Sequence, residues 1–138
     1  MKSIILILLV VLVTGCATSS KNRGLTLRET IAGAWGWTPQ ECEDGAAVHS
    51  FSEDGSKMFV SSDKGLITSA RSEPKPQLVY QILGESKNVL RAVIEGEDRF
   101  QKNGDPVVWD LVLLSNNSFC WHRTDWSAGS CTKTLRRC

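Results

Sequence analysis

Short apolar runs divided by turn signals fill the chain from Trp35 onward, and they constrain its fold more than any other feature. Asp54-Gly55 and Asn116-Asn117 are among the turn signals between these runs. The gaps are too short for the helical crossovers of a parallel sheet, so we expect hairpins and antiparallel pairing. The predicted strands cover 34–39, 46–52, 56–62, 65–71, 77–84, 88–95, 97–102, 106–115, 117–124 and 131–136. The fold class is therefore all-β, either a small antiparallel up-and-down β-barrel or a sandwich.

A short helix is expected before the first strand. The segment 25–33, LTLRETIAG, places Thr26 three residues before Glu29, which is the spacing of a capping box, and Gly33 suits a helix end. We predict no other helix. We assign residues 27–138 to a single β domain that begins with this short helix.

Asp110 is the one charged residue in an otherwise apolar run, VVWDLVLLS at 107–115. A run that is apolar on both faces predicts a central strand covered on both sides. We favour an outward-facing acid at this position. A buried, hydrogen-bonded acid paired with Arg123 on the next strand is the alternative.

The first residues have the pattern of an export signal. Lys2 precedes an unbroken apolar run at Ile4–Val13, which suits a signal-peptide core and is too short to span a membrane. The segment VTGC at 13–16 resembles the lipobox of bacterial lipoprotein precursors. That resemblance implies cleavage before Cys16 and acylation of its thiol and of its new amino group. An ordinary secreted protein with an unpaired Cys16 is the alternative.

The lipoprotein resemblance also implies how the chain is divided into segments and where in the cell the protein is located. Residues 1–15 would be the signal peptide, Cys16 the lipid anchor, and 16–26 a flexible tether of small and polar residues. Two or three acyl chains hold a protein firmly on a membrane that it does not span. In that family, Ala17 rather than Asp after the cysteine favours the outer membrane. We therefore expect the domain on the outer membrane, facing the periplasm.

The charge of the mature chain bears on its partners. Without residues 1–15 the chain loses only the charge of Lys2 and keeps 15 basic and 15 acidic residues. Binding to nucleic acid or to anionic lipid surfaces depends on an excess of basic residues. We expect no nucleic-acid partner, and membrane contact only through the lipid on Cys16.

Four cysteines remain when Cys16 carries lipid: Cys42, Cys120, Cys131 and Cys138. An even number in a small exported domain indicates two disulfides, and sequence alone allows three connectivities. We favour Cys120–Cys131, which closes a short loop, together with Cys42–Cys138, which ties residue 138 back to the start of the domain.

Two other uses of these cysteines are weaker. Zinc held by Cys120, His122, Cys131 and Cys138 lacks the paired short spacings, such as C-x2-C, of structural zinc sites. Cys120 and His122 would share one face of a strand, as a nucleophile and its base could, but an oxidising compartment disfavours a free thiol. We predict no metal, no cofactor and no catalytic residue.

The domain resembles lipocalins and related calycin barrels in its short motifs. Gly33-Ala34-Trp35 after a short helix is similar to the G-x-W entry to the first strand, and Thr124-Asp125-Trp126 is similar to the T-D-Y motif, with Trp for Tyr. The resemblance implies a barrel in which Trp35 plugs the closed end. It also implies that a basic residue from a late strand, Arg136 or Arg137, packs over that ring.

Five tryptophans against one tyrosine is an unusual balance. Four of them lie in predicted strands, where packing in the core and lining of a ligand cavity are both open. Trp126 lies in the loop between Cys120 and Cys131, where it could contact a partner or cover a barrel end. The candidate contact residues are Trp35, Trp37, Trp109, Trp121 and Trp126.

The other ionisable residues carry no recognisable motif. His49 and His122 are far apart in the sequence. Glu95, Glu97 and Asp98 are interpreted as a solvated turn, so no paired carboxylates are predicted for acid–base chemistry.

These observations favour a membrane-tethered, disulfide-bonded β domain without catalytic activity. Its first predicted function is to bind a small apolar ligand inside the barrel, because eight-stranded barrels can hold one such ligand. The alternative is a protein-interaction module of the envelope, such as an inhibitor of a lytic enzyme or of a toxin. An enzyme that uses Cys120 and His122 is the weakest hypothesis.

Overall fold

The computed structural model describes residues 24–68 and 73–138, and these form a closed antiparallel barrel of eight strands. Each strand pairs with the next one in the chain, and the last pairs with the first. The strands are β1 (Gly33–Gly36), β2 (Ala47–Phe51), β3 (Lys57–Ser62), β4 (Gln77–Glu85), β5 (Val89–Ile94), β6 (Trp109–Ser115), β7 (Ser118–Arg123) and β8 (Leu135–Arg137). The helices are α1 (Leu27–Ile31) and α2 (Pro39–Gly45). The predicted all-β fold, a small up-and-down barrel with a short N-terminal helix, is confirmed.

Two of the predicted strands are wrong. In the segment 65–71, of which the structure describes 65–68, Ile67 makes only an isolated bridge to Lys75. In the segment 97–102, Phe100 likewise makes only an isolated bridge. These segments belong to the connections between strands, and Phe100 is 64% exposed. In both segments, apolar residues on a connection gave the short apolar run that is typical of a strand.

Helix α2 was not predicted, and it replaces the end of a strand expected to continue through Pro39. The Thr38 side chain accepts a hydrogen bond from the backbone N–H of Glu41, and Pro39 stands at the start of the helix. The strand therefore ends at Gly36. A Cβ atom there would lie 3.0 Å from the Sγ atom of Cys42, so glycine lets α2 fold back closely onto β1.

Helix α1 has the capping box that the sequence predicts. The Thr26 hydroxyl accepts a hydrogen bond from the Glu29 N–H at 3.2 Å, and the Glu29 carboxylate accepts one from the Thr26 N–H at 2.7 Å. From this helix Arg28 reaches the carbonyl of Gly55 and the carboxylate of Glu85. Gly55 lies in the β2–β3 turn and Glu85 ends β4, so α1 lies across the barrel end where those strands meet.

Trp35 and Arg137 complete this closed end. Trp35 is fully buried, and its Nε1 donates a hydrogen bond to the carbonyl of Ile31 at 2.7 Å. The Cζ atom of Arg137 lies 4.3 Å from the Trp35 ring centroid, and the guanidinium also donates to the carbonyl of Thr30. Arg137, rather than Arg136, makes the contact that the lipocalin resemblance implies.

Both favoured disulfides are present. Cys42–Cys138 joins α2 to the residue after β8, with Cα atoms 5.5 Å apart and a sequence separation of 96. Cys120–Cys131 joins β7 to the loop that follows it, with Cα atoms 5.8 Å apart and a separation of 11. Because Cys120 is bonded, its sulfur is not the free thiol that a Cys120/His122 pair would need as a nucleophile.

Asp110 faces away from the barrel interior, yet it is buried. Arg91 lies opposite it on β5 and donates two hydrogen bonds, each 2.8 Å long, to its two carboxylate oxygens. The Asp110 side chain is 11% exposed beneath an Arg91 side chain that is 53% exposed. Arg123 pairs instead with Asp125 at 2.8 Å. The favoured outward-facing position is therefore confirmed. The alternative is confirmed in part, because the acid is buried and hydrogen-bonded, but its partner is Arg91 and the pairing with Arg123 is wrong.

The predicted signal peptide at 1–15 and the predicted acylation of Cys16 lie outside the described residues. So does the tether at 16–26 as far as residue 23, whereas Thr26 is described as the cap of α1. Within 24–68 and 73–138, the helices are too short to cross a membrane.

Candidate functional site

A cavity of about 200 Å³ lies inside the barrel, at the end opposite α1. Strands form its wall, and connections that follow β1, β3, β5 and β7 form its rim. A cavity of ~150 Å³ can hold benzene, whereas drug-sized ligands need roughly 300 Å³ or more. The space therefore fits one small ring. The lining residues are Trp37, Ala47, His49, Val60, Ile67, Thr68, Leu78, Tyr80, Ile94, Arg99, Trp109, Trp121, Thr132 and Leu135.

Aromatic rings form one wall of this cavity. Tyr80 stacks on Trp121 with 5.2 Å between ring centroids, and Trp109 meets Trp121 edge to face at 6.3 Å. Behind them, Phe119 contacts Trp121 on one side and Trp35 of the closed end on the other. Each contact of this kind contributes ~0.5–1.5 kcal/mol beyond the area it buries. The wall is therefore held in place by the core itself.

The five tryptophans have three different positions. Trp35 belongs to the core at the closed end, while Trp37, Trp109 and Trp121 line the cavity. Trp126 is outside the lining; it is 38% exposed and packs edge to face on Trp109 at 5.9 Å. Trp37 is 40% exposed at the rim, and its predicted place in a strand is wrong because β1 ends before it.

A buried ion pair stands beside the rim. The Glu97 side chain is 3% exposed and accepts hydrogen bonds of 2.6 and 2.8 Å from Arg99, whose guanidinium lies 5.5 Å from the Trp109 ring centroid. Burial by itself raises the pKa of Glu97, but the hydrogen bonds from Arg99 outweigh it and hold that pKa below its ordinary value. The predicted solvated turn at Glu95, Glu97 and Asp98 is therefore wrong for Glu97.

His49 lies on β2, and its Nε2 is the one buried side-chain nitrogen or oxygen atom of the described residues that has no hydrogen-bond partner. His49 lines the cavity, is 3% exposed and packs edge to face on Phe119 at 5.4 Å. Its Nδ1 lies 3.1 Å from the carbonyl oxygen of Ala47, and because a carbonyl only accepts, the ring proton belongs on Nδ1. Nε2 is then an acceptor without a donor. Burial lowers the pKa of His49 to about 4, so the ring is neutral at neutral pH.

His49 and Glu97 were not among the predicted site residues. For His49 the sequence does carry a signal, because it alternates with Ala47 and Phe51, and that period of two puts all three on one face of β2. For Glu97 no local signal exists. It lies on a connection, and its burial depends on how the β5–β6 connection folds over Trp109.

Cys120 and His122 are not part of the cavity. They alternate with the inward-facing Phe119 and Trp121 along β7 and therefore face outward. Cys120 is bonded to Cys131, and Nδ1 of His122 contacts the carbonyl of Ser130. Among the residues that the structure describes, no group of three or more His, Cys, Asp or Glu side chains could hold a metal ion.

Fold and site together define a small, disulfide-bonded, closed β-barrel with an aromatic-walled cavity at one end. No protein-family model, no curated protein and no solved structure was found to match the chain. The chemistry of the cavity lining is a wall of rings, the imidazole of His49 and, at the rim, the guanidinium of Arg99 paired with a carboxylate.

Proposed function

We propose that this protein is an envelope lipoprotein whose barrel binds a small apolar ligand in the cavity opposite α1. The observation that carries the proposal is the cavity of about 200 Å³ walled by Tyr80, Trp109 and Trp121. An apolar ring that enters this space leaves water and gains close contact with fixed rings, and both effects favour binding. No catalytic role is assigned to the site. The lipocalin-like resemblance belongs to the same proposal and is supported by the contact of Arg137 with Trp35.

Bromobenzene is a suitable probe of the cavity, because its heavy atom quenches the emission of a tryptophan that it contacts. We expect saturable quenching of the wild-type protein. Ala47→Leu adds bulk on the cavity side of β2 and should weaken the binding of bromobenzene about tenfold or more, which corresponds to ~1.4 kcal/mol. Val48→Leu is the matched control, because Val48 is the next residue on β2 and faces outward.

Quenching that does not saturate, or that is equal in wild type and Ala47→Leu, would contradict ligand binding in the cavity. The exposed rings of Trp37 and Trp126 would then favour the alternative function, in which this end of the barrel contacts another protein.

The lipid anchor is the second part of the proposal, and it is supported by the lipobox-like VTGC at 13–16. We expect the intact mass of the mature protein to begin at Cys16 with attached acyl chains such as palmitate, and we expect the protein in the outer-membrane fraction. Cys16→Ser should abolish the acylation and release the protein from the membrane. Ala17→Asp is the matched control: it should keep the lipid and change only the membrane to which the protein is sorted. A mature N-terminus without lipid would refute the anchor.

A further inference from the structure

One polar group in the lining of the cavity lacks a hydrogen-bond partner. His49 is only 3% exposed, and its Nε2 carries a lone pair to which no donor among the described residues is bonded. A buried acceptor without a donor destabilises the native state, and a donor that arrives with a ligand would remove that penalty. The rest of the wall is mainly aromatic and aliphatic, so this nitrogen can orient a ligand that is otherwise held by apolar contact.

We propose that His49 Nε2 accepts a hydrogen bond from the ligand, and that the ligand is a small, neutral ring compound with one O–H or N–H donor. Phenols and indole-like rings have this chemistry. The inference rests on the proposed function, since it names the class of ligand that the same cavity takes.

The position of His49 sets the orientation of such a ligand. The imidazole contacts Phe119, which in turn contacts Trp35 at the closed end, so the imidazole ring lies at the inner end of the cavity lining. Trp109 contacts Trp126 at the rim. The donor of the ligand therefore points toward the closed end, and its apolar ring lies along Trp121 and Trp109.

The charges near the cavity favour a neutral ligand. The charged residue of the lining is Arg99, and its guanidinium is already paired with the carboxylate of Glu97. An anion would gain little from an arginine that a carboxylate neutralises, and a cation would lose its hydration among aromatic and aliphatic side chains. A neutral donor loses much less hydration on entry.

Phenol and toluene test the proposal, because they differ by a hydroxyl in place of a methyl group. Their affinities are measured by chemical-shift titration of wild type and of His49→Leu, which removes the acceptor and keeps a similar volume. Phenol should bind His49→Leu about tenfold more weakly than wild type, while toluene should bind both proteins within about twofold. The matched control is Ser50→Ala, an exposed position next to His49, and it should change neither affinity.

A second measurement needs no variant. With ¹⁵N-labelled histidine, phenol should shift the Nε2 resonance of His49 toward lower frequency, as acceptance of a hydrogen bond does, and toluene should leave it in place. An unmoved Nε2 resonance at saturating phenol overturns the inference and leaves the proposed function standing. An equal loss of phenol and toluene affinity in His49→Leu also overturns it, because His49 would then only shape the cavity. Absence of binding by phenol, toluene and bromobenzene alike overturns the proposed function and this inference with it.

Discussion

Replacement of Cys42 and Cys138 by alanine is expected to lower the free energy of unfolding by about 4 to 5 kcal/mol. A cross-link stabilises a protein mainly by restricting its unfolded chain, and the restriction grows with the length of the closed loop. Cys42–Cys138 spans 96 positions, whereas Cys120–Cys131 spans 11. The same relation gives a loss of about 3 kcal/mol for the double alanine variant at Cys120 and Cys131.

Denaturant titration without reducing agent measures both losses, and the second pair serves as the matched control for the first. The comparison has a built-in bias, because Cys120 is buried and its truncation removes core contacts, whereas Cys138 is exposed. That bias works against the predicted order. If the Cys120/Cys131 variant is nevertheless as destabilised as the Cys42/Cys138 variant, loop length does not govern the contribution of these disulfides.

Cys42–Cys138 also fixes a part of the cavity rim. Trp37 lies between β1 and α2, and its backbone N–H donates a hydrogen bond of 2.6 Å to the carboxylate of Glu41 in that helix. Cys42, the next residue of α2, is bonded to Cys138, the residue that follows β8. The disulfide therefore fixes α2 to the barrel, and α2 fixes the backbone of Trp37 through the hydrogen bond to Glu41.

The strands of the barrel could be predicted because each carries its own local pattern. The turn signals at Asp54-Gly55 and Asn116-Asn117 lie in the β2–β3 and β6–β7 turns. Along β5, Leu90, Ala92 and Ile94 are buried in alternation with more exposed residues, as a half-buried strand requires. Closure of the barrel is different, because it depends on β8 meeting β1 about a hundred residues earlier. No local sequence pattern shows whether β8 pairs with β1, which closes a barrel, or leaves the strands in two separate sheets, as in a sandwich.

The closed end was predictable in part, through the lipocalin resemblance. Gly33 shows why the motif has a glycine: its φ is 123°, and a Cβ atom there would lie 2.9 Å from a guanidinium nitrogen of Arg137. The sequence could not decide between Arg136 and Arg137. Only the register does so, because Arg137 lies opposite Trp35 in the β1–β8 pairing.

The cavity was predictable as a set of rings and not as a set of polar groups. Abundant tryptophan marks large apolar surfaces that a barrel must bury or expose to a ligand, and Trp109 and Trp121 are in the wall. The polar features arise from tertiary contacts that sequence spacing does not reveal. Glu97 is buried because Arg99 and Trp109 pack against it. Nε2 of His49 is unpaired because no described residue places a donor within hydrogen-bond distance of it.

A fall in pH from about 7 to about 4 is expected to destabilise the native state by about 3 kcal/mol through His49 alone. Burial lowers its pKa from 6.5 to about 4 in the folded protein, and the unfolded chain keeps the ordinary value. Above pH 6.5 the ring is neutral in both states, so it contributes no pH dependence. Between these values the unfolded chain binds a proton that the native state does not, and the free energy of unfolding therefore falls as the pH falls. Below about pH 4 both states are protonated, and the contribution is constant.

Urea denaturation of wild type and His49→Leu at a series of pH values isolates this effect. Carboxylates whose pKa is lowered by partners, such as Glu97 with Arg99 and Asp125 with Arg123, also lose stabilising interactions in acid. They are present in both proteins, so their contribution cancels in the difference. We expect the stability curve of wild type to fall by about 3 kcal/mol relative to that of His49→Leu over this range. Parallel curves would mean that the native imidazole takes up a proton as readily as the unfolded one, and that water already reaches Nε2. The unpaired Nε2 would then not destabilise the native state, and a ligand that donates a hydrogen bond to it would gain no affinity from removing such a cost.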